Sequence, residues 1–422
     1  MYLKLNLDYL KHYLNNKDIE DEIFKNKKTF EDSYQCLFGP NNLKGWFEVE
    51  NHAGIEALEQ IEEISNYVIK NAEVLVVLGI GGSNRGAMAV VEYFKAVRSE
   101  FPEIIWAGNN LSGTALKEVF SRIGKRSVMI DVIAKDFRTI EPGLSFRMFR
   151  EYLKDRYADE YHKHVIVTGS VGSNQLKEMA ETHQYLYLPF PENVGGRFSV
   201  LTPVGLLPMA VAGIDIRELV SAALKTEKKL KSKPIEKNPA IIYSIVRKLL
   251  FQKGFQIEGF VFLEPSLEYF GRWLVQEFGE TEGKIAEAIF PTSFSYSEDL
   301  HAIGQYIQEG RRFIFESYFN CFRESRLKIP KSKEKDGFDY LDQKEYDDVN
   351  RAVYQAAIEA HSEDGVPCVE FILPEPDEEV FGELFYFFLF TVYCSANLIG
   401  VNPFNQNGVE NYKLNMYRIL GK

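Results

Sequence analysis

Residues 74–78, VLVVL, form an unbroken Val-rich run that stops at Gly79, Gly81 and Gly82. A short β-branched run with no polar alternation predicts a strand buried on both faces, the signature of a parallel sheet covered by helices. Upstream, Leu58, Ile61, Ile64 and Val68 recur at helical spacing. Downstream the pattern alternates: helix 85–98, strand 104–107, helix 115–123, strand 128–133, helix 144–157 and strand 165–168. This predicts a first doubly wound unit ending near Pro203. A second block follows, with helices 214–230 and 240–251, strand 259–263, helix 267–278, strand 312–318, helix 346–361, strand 368–374 and helices 384–398 and 409–419. The expected fold class is α/β, with two doubly wound three-layer α/β/α subdomains and mainly parallel sheets. The expected division is an N-terminal helical extension (1–50), a first subdomain (51–203), a second (204–400), and a C-terminal loop and helix (401–422).

Charge narrows the partners. Lys and Arg number 49 against 61 Asp and Glu, a formal net charge of −12. That disfavours nucleic acid and anionic membranes, so an anionic ligand needs a local site. The apolar stretch 384–398 contains Tyr386, Tyr393, Ser395 and Asn397, and falls short of the roughly 18–20 apolar residues of a membrane span. It reads as a buried core helix. Residues 1–14 lack the charged flank, apolar run and small-residue site of a secretory signal. Cys36, Cys321, Cys368 and Cys394 are scattered without C-x-x-C spacing, which fits a reducing, cytoplasmic setting and suggests neither zinc nor a disulfide framework.

Five places carry chemistry-bearing residues. The turn Gly79-Ile-Gly-Gly-Ser83 follows the first strand and opens a helix. Free N–H groups there, with the Ser83 hydroxyl, suit a phosphate, although tight packing of helix on strand demands similar glycines. Asn84 breaks the dinucleotide fingerprint, and no Gly-Lys-Ser/Thr follows. Lys135, Arg138 and Thr139 lie beyond the strand 128–133, either as an anion clamp or as a solvated loop, with Asp136 arguing for the latter. Arg197 follows Gly195 and Gly196, and is either an oxyanion stabiliser or a surface ion-pairing residue. Gln276 and Glu280 are one helical turn apart, beside a helix end expected near Phe278. Glu280 suits a general base and His301 an acid or base, or else both are structural. Lys413 closes the segment NPFNQNGVENYK, 402–413, and is otherwise a solvated helix residue. His162 and His164 form an H-x-H at an expected strand start without a ligand cluster beside them, and no G-x-S-x-G elbow is present.

Taken in order, these segments resemble the phosphoglucose isomerase family, whose two subdomains are of the SIS sugar-isomerase type. VGGRFSVLTP (194–203) looks like the first family signature and SANLIGVNPFNQNGVENYK (395–413) like the second. GIGGS (79–83), GNNLS (108–112), ETEGK (280–284) and DLHAIGQYIQEG (299–310) fall in family order. The resemblance implies a metal-free, cofactor-free aldose–ketose isomerisation of a hexose 6-phosphate, in glycolysis and gluconeogenesis. It assigns catalysis to Glu280 as the proton carrier between C2 and C1, His301 with Lys413 as ring openers, and Arg197 as enediolate stabiliser. It assigns substrate contacts to Gly82, Ser83, Lys135, Arg138, Thr139, Gln276 and Gln406. It also implies a homodimer in which His301 comes from the neighbouring subunit.

One stretch departs from the family. Its phosphate loop, S-K-[ST]-x-T-T, is replaced by Ala134, Lys135, Asp136, Phe137, Arg138 and Thr139, so three hydroxyl positions are lost. A hydrogen bond to a charged group contributes about 1.5–3 kcal/mol. The departure leaves two further readings open, an isomerase for a different sugar phosphate and a sugar-phosphate-binding SIS protein without turnover.

Overall fold

The computed structural model describes residues 1–37, 43–135, 137–172 and 175–421. Its strands are β1 (Lys4–Asn6), β2 (Val74–Leu78), β3 (Glu103–Ala107), β4 (Val128–Ala134), β5 (Val165–Ser170), β6 (Leu186–Phe190), β7 (Ile257–Phe262), β8 (Phe290–Ser295), β9 (Ile314–Asn320) and β10 (Cys368–Ile372). They make two five-stranded sheets, ordered β3-β2-β4-β5-β6 and β1-β10-β9-β7-β8. Every pairing is parallel except that of β1 with β10. The α/β class and its two mainly parallel sheets are as the sequence predicts.

The chain forms two compact units. The first comprises Tyr34–Lys231 with Phe385–Leu389, and the second Met1–Ser33, Ser232–Leu384 and Phe390–Lys422. These limits differ from the sequence-based ones. Residues 204–231 join the first unit because helix Pro203–Val211 packs on helices Ile55–Asn71 and Arg85–Phe94. Residues 1–33 join the second, since β1 adds an antiparallel edge to β10. Beyond this short strand the segment is mainly helical, with helix Asn16–Leu37.

In the first unit β2 is wholly buried between β3 and β4. Val76, Leu78, Ile130 and Val132 meet Phe146, Phe149 and Leu153 of helix Ile140–Tyr157 in one core. The chain steps from β2 out to β3 and returns across to β4, so the topological switch point lies between the carboxyl ends of β2 and β4. In open α/β sheets that crevice is where ligands bind.

The second unit repeats the logic, with β7 stepping to β8 and then back to β9. Helix Glu268–Glu282 makes the first crossover. Its Gly271 abuts Ser293 and Phe262, late in β8 and β7, while a Cβ on Gly279 would lie 3.6 Å from Pro291 at the start of β8. The helix therefore runs antiparallel to the strands, and its end sits at their amino ends. The apolar helix Glu378–Leu398 is long enough to cross a membrane, but 94% of its most apolar window is buried inside the protein. It is a core helix, as its sequence predicts.

Three expectations change in detail. Helix 267–278 continues to Glu282, so Glu280 lies within it. His162 and His164 lie in a 3-10 segment, Ala158–His164, rather than at a strand start. There His164 stacks on Tyr157 at 3.6 Å and its Nδ1 meets the Val128 carbonyl at 2.9 Å, a structural use. Strands β6 and β8 add to the expected set, with Pro189 and Pro291 interrupting the apolar pattern that would mark them.

Candidate active site

In the first unit, three segments converge at the carboxyl end of the sheet. After β2 the chain turns through Gly81, whose φ is +61°, into a 3-10 turn, Gly81–Ser83. Asn84 Nδ2 closes it by donating to the Gly79 carbonyl at 3.0 Å. A Cβ on Gly82 would collide with the Gly196 carbonyl and come within 2.6 Å of Arg197 N, so only glycine allows this contact. Close approach thus sets the Gly82 backbone, next to Ser83, against the Gly196–Arg197 peptide. Ser199 Oγ, fully buried, donates to the Gly196 carbonyl at 2.6 Å and fixes the loop. Arg197 itself is only 3% exposed, with its guanidinium 5.3 Å from the Phe198 ring centroid, which is not the setting of a surface ion-pairing residue.

Lys135, at the end of β4, donates to the carbonyls of Glu192 and Val194 at 2.7 and 2.8 Å. Burial lowers its pKa, with the Glu192 charge opposing the shift. Its ammonium is committed to the loop that carries Arg197. Arg138 and Thr139 are exposed at the start of helix Ile140–Tyr157, where Thr139 is the N-cap residue but its side chain caps no helix N–H. Asp136 lies outside the described residues.

In the second unit, the Glu280 carboxylate is half-buried and receives two amides. Gln276 Nε2 donates to Oε1 at 2.9 Å, one helical turn away, and Gln406 Nε2 donates to Oε2. Both side-chain amides hold the carboxylate by its oxygens and fix its plane. Gln276 Oε1 and Asn405 Oδ1 are buried acceptors with no hydrogen-bond partner among the described residues. Lys413 lies on helix Glu410–Ile419 and pairs with Glu410 at 2.9 Å. Beside the helix end, Lys284 Nζ donates to the Asn402 carbonyl.

His301 is elsewhere in the same unit. It is exposed in the 3-10 turn Asp299–His301 that follows β8, and Asp299 anchors this turn by accepting from Ser295 N at 2.6 Å. Glu280 lies beside the start of β8 and His301 beyond its end, so the strand's length separates them, about 16 Å at 3.3 Å per residue. The structure therefore joins Glu280 with Gln276 and Gln406, sets the turn at Gly82 against the Gly196–Arg197 peptide, and puts His301 at the other end of β8 from Glu280.

Sequence reasoning missed what anchors these groups. Arg247 and Glu282 pair in the core, and Arg247 is a cation on the apolar face of its helix, three residues from Ser244 and Leu250, both buried. That misplaced charge was the readable signal.

The sequence profile of the phosphoglucose isomerase family matches residues 56–420. The chain belongs to this family. A relative from Staphylococcus epidermidis named glucose-6-phosphate isomerase is 39% identical over 388 residues, covering 90% of this chain and 88% of its own. Among solved structures, a hypothetical protein from Thermus thermophilus superposes with a TM-score of 0.89 at 23% identity over the whole of both chains. A glucose-6-phosphate isomerase from Chlamydia trachomatis gives 0.77 at 16% identity, over 96% of this chain and 85% of its own. At those identities the structures attest the shared fold.

Proposed function

We infer that this phosphoglucose isomerase family member interconverts glucose 6-phosphate and fructose 6-phosphate, an aldose–ketose isomerisation at the head of glycolysis and its reversal. The observation that carries the assignment of roles is the Glu280 carboxylate held between two amides. A base that must shuttle one proton between adjacent carbons needs a fixed plane, and a carboxylate serves as base in one half-reaction and acid in the other.

After ring opening by His301 and Lys413, Glu280 removes the proton from C2 of the aldose, and the electron pair of that C–H bond forms the C1–C2 double bond and pushes the carbonyl pair onto the C1 oxygen. The resulting cis-enediolate is stabilised by Arg197, which never loses its proton. The O2 hydroxyl proton passes to O1 and Glu280 returns its proton to C1, leaving the C2 carbonyl and C1 hydroxyl of the ketose. Gln276 Oε1 and Asn405 Oδ1 are acceptors suited to sugar hydroxyls. Gly82, Ser83, Arg138 and Thr139 serve the phosphate, with Lys135 bracing the Arg197 loop.

The strand's length between Glu280 and His301 supports a homodimer in which each site takes its histidine from the second copy. Three of the four cysteines are buried as free thiols, in keeping with the cytoplasm. The test is Glu280→Gln, which keeps shape and removes the base. Fructose 6-phosphate turnover should fall at least about 10²–10⁴-fold while sugar-phosphate binding persists. Unchanged turnover would end this assignment.

A further inference from the structure

Behind Glu280, at the end of its helix, lies a charged cluster closed off from solvent. Arg247 is 1% exposed, on helix Pro239–Gln252. Its Nη1 and Nη2 donate to the two Glu282 oxygens at 2.7 and 3.0 Å. Its Nε donates to Glu258 at 2.7 Å, and Nη1 also donates to Ser395 Oγ at 2.8 Å. Its flat face lies 4.1 Å from the Phe278 ring centroid. Glu258 accepts further from Tyr243 and from Ser317 at 2.8 Å. Burial alone would disfavour the guanidinium charge, but the two carboxylates outweigh it and hold Arg247 cationic.

Stability does not account for this cluster. Apolar replacements of such buried charge clusters are often no less stable. What the cluster touches is informative. Glu282 closes the last turn of the helix that presents Gln276 and Glu280, a place where helices fray. Ser395 lies near the end of helix Glu378–Leu398, the element leading into the loop that brings Gln406 to Glu280. Arg247 thus grips both segments that meet on the catalytic carboxylate, through Glu282 and Ser395 rather than through Glu280 itself.

We propose that the buried Arg247–Glu282 fork is a positioning device that sets the plane and reach of Glu280 for proton transfer between C2 and C1. This rests on the reading of Glu280 as proton carrier. A bidentate fork fixes direction as well as distance, which a lysine ammonium does not. A displacement of about 1 Å at a reacting group costs on the order of 10²-fold in rate.

Glu282→Gln, Arg247→Lys and the near-isosteric neutral triple variant Arg247→Met with Glu258→Gln and Glu282→Gln test it, the last keeping the question open to refutation if single variants fold poorly. Expected are a kcat lower by about 10–100-fold and a KM within about twofold for fructose 6-phosphate. The primary isotope effect with 2-deuterated glucose 6-phosphate should rise, because proton transfer becomes slower. Arg247→Lys should keep more activity than Arg247→Met. Glu370→Gln, in a separate buried cluster with Asn6, Asn320 and Tyr354, controls for lost stability and should leave kcat unchanged. If Glu280→Gln is inactive while the folded Glu282→Gln and triple variants keep wild-type kcat and isotope effect, the positioning role is overturned. A loss that comes only from fewer folded sites, with normal kcat per site, overturns it as well. An active Glu280→Gln would instead strike down the underlying reading.

Discussion

Mixing two inactive variants decides whether His301 works across a subunit boundary. Within one chain Glu280 abuts the start of β8 and His301 follows its end, with Gly279 packed on Pro291 marking the near side. Five residue steps at 3.3 Å, about 16 Å of strand, thus lie between the backbone positions beside which the two residues sit. Glu280→Gln and His301→Ala homodimers should therefore each be inactive. Unfolded together in equal amounts and refolded, they should assort so that about half of the dimers are mixed, as two-fold symmetry permits. In each mixed dimer one site has lost both residues and the other has an intact Glu280 facing an intact His301. Recovered activity should approach about a quarter of wild type in a coupled fructose 6-phosphate assay. If the histidine acted within its own chain, every site in every mixture would lack one residue. Activity no higher than the unmixed variants, with mixed dimers demonstrated by mass, would refute the reasoning.

Other outcomes follow from the first unit. Asp131 is wholly buried on β4, bonded to Thr168 Oγ1 at 2.9 Å, and burial raises its pKa to about 7 from the usual 3.8. Its native protonated form is favoured below that range, so rising pH through about 4–7 removes stability. Between pH 5 and pH 8 the wild-type chain should lose about 3 kcal/mol that Asp131→Asn retains, measured by urea unfolding followed through Trp46 and Trp106, and a variant advantage equal at both pH values would dismiss the effect. Gly82→Ala forces a methyl into the Gly196 carbonyl, so stability should fall by about 1–3 kcal/mol and kcat should collapse; unaltered turnover would separate the turn from Arg197. Lys135→Met removes both loop bonds and should lower kcat more than phosphate affinity, whereas a loss confined to inhibitor binding would reassign Lys135 to the phosphate.

The fold was legible where periodicity was strong. Val74–Leu78 has only one comfortable home, and the helices expected at 144–157 and 384–398 form, each starting four to six residues earlier than expected. The site was half legible. Glu280 with Gln276 follows from helical spacing alone, but Gln406 reaches Glu280 across 126 positions of sequence, which no local pattern encodes. The employment of Lys135 was hidden for the same reason, since carbonyls at 192 and 194 leave no trace in side-chain composition. The pairing of Gly82 with the Gly196 peptide shows up in sequence only as two glycine turns, and their mutual fit needs three dimensions.

The first unit includes Phe385–Leu389, and there Tyr386 Oη donates to the Phe47 carbonyl at 3.0 Å while its ring lies 6.3 Å from that of Trp46. Five residues made almost last during translation complete a body begun near residue 34. A nascent chain halted after Lys231 would display the apolar seat meant for them, inviting chaperones or clumping until the ribosome has passed Leu389. The amino-terminal unit is therefore complete only once residue 389 has been made.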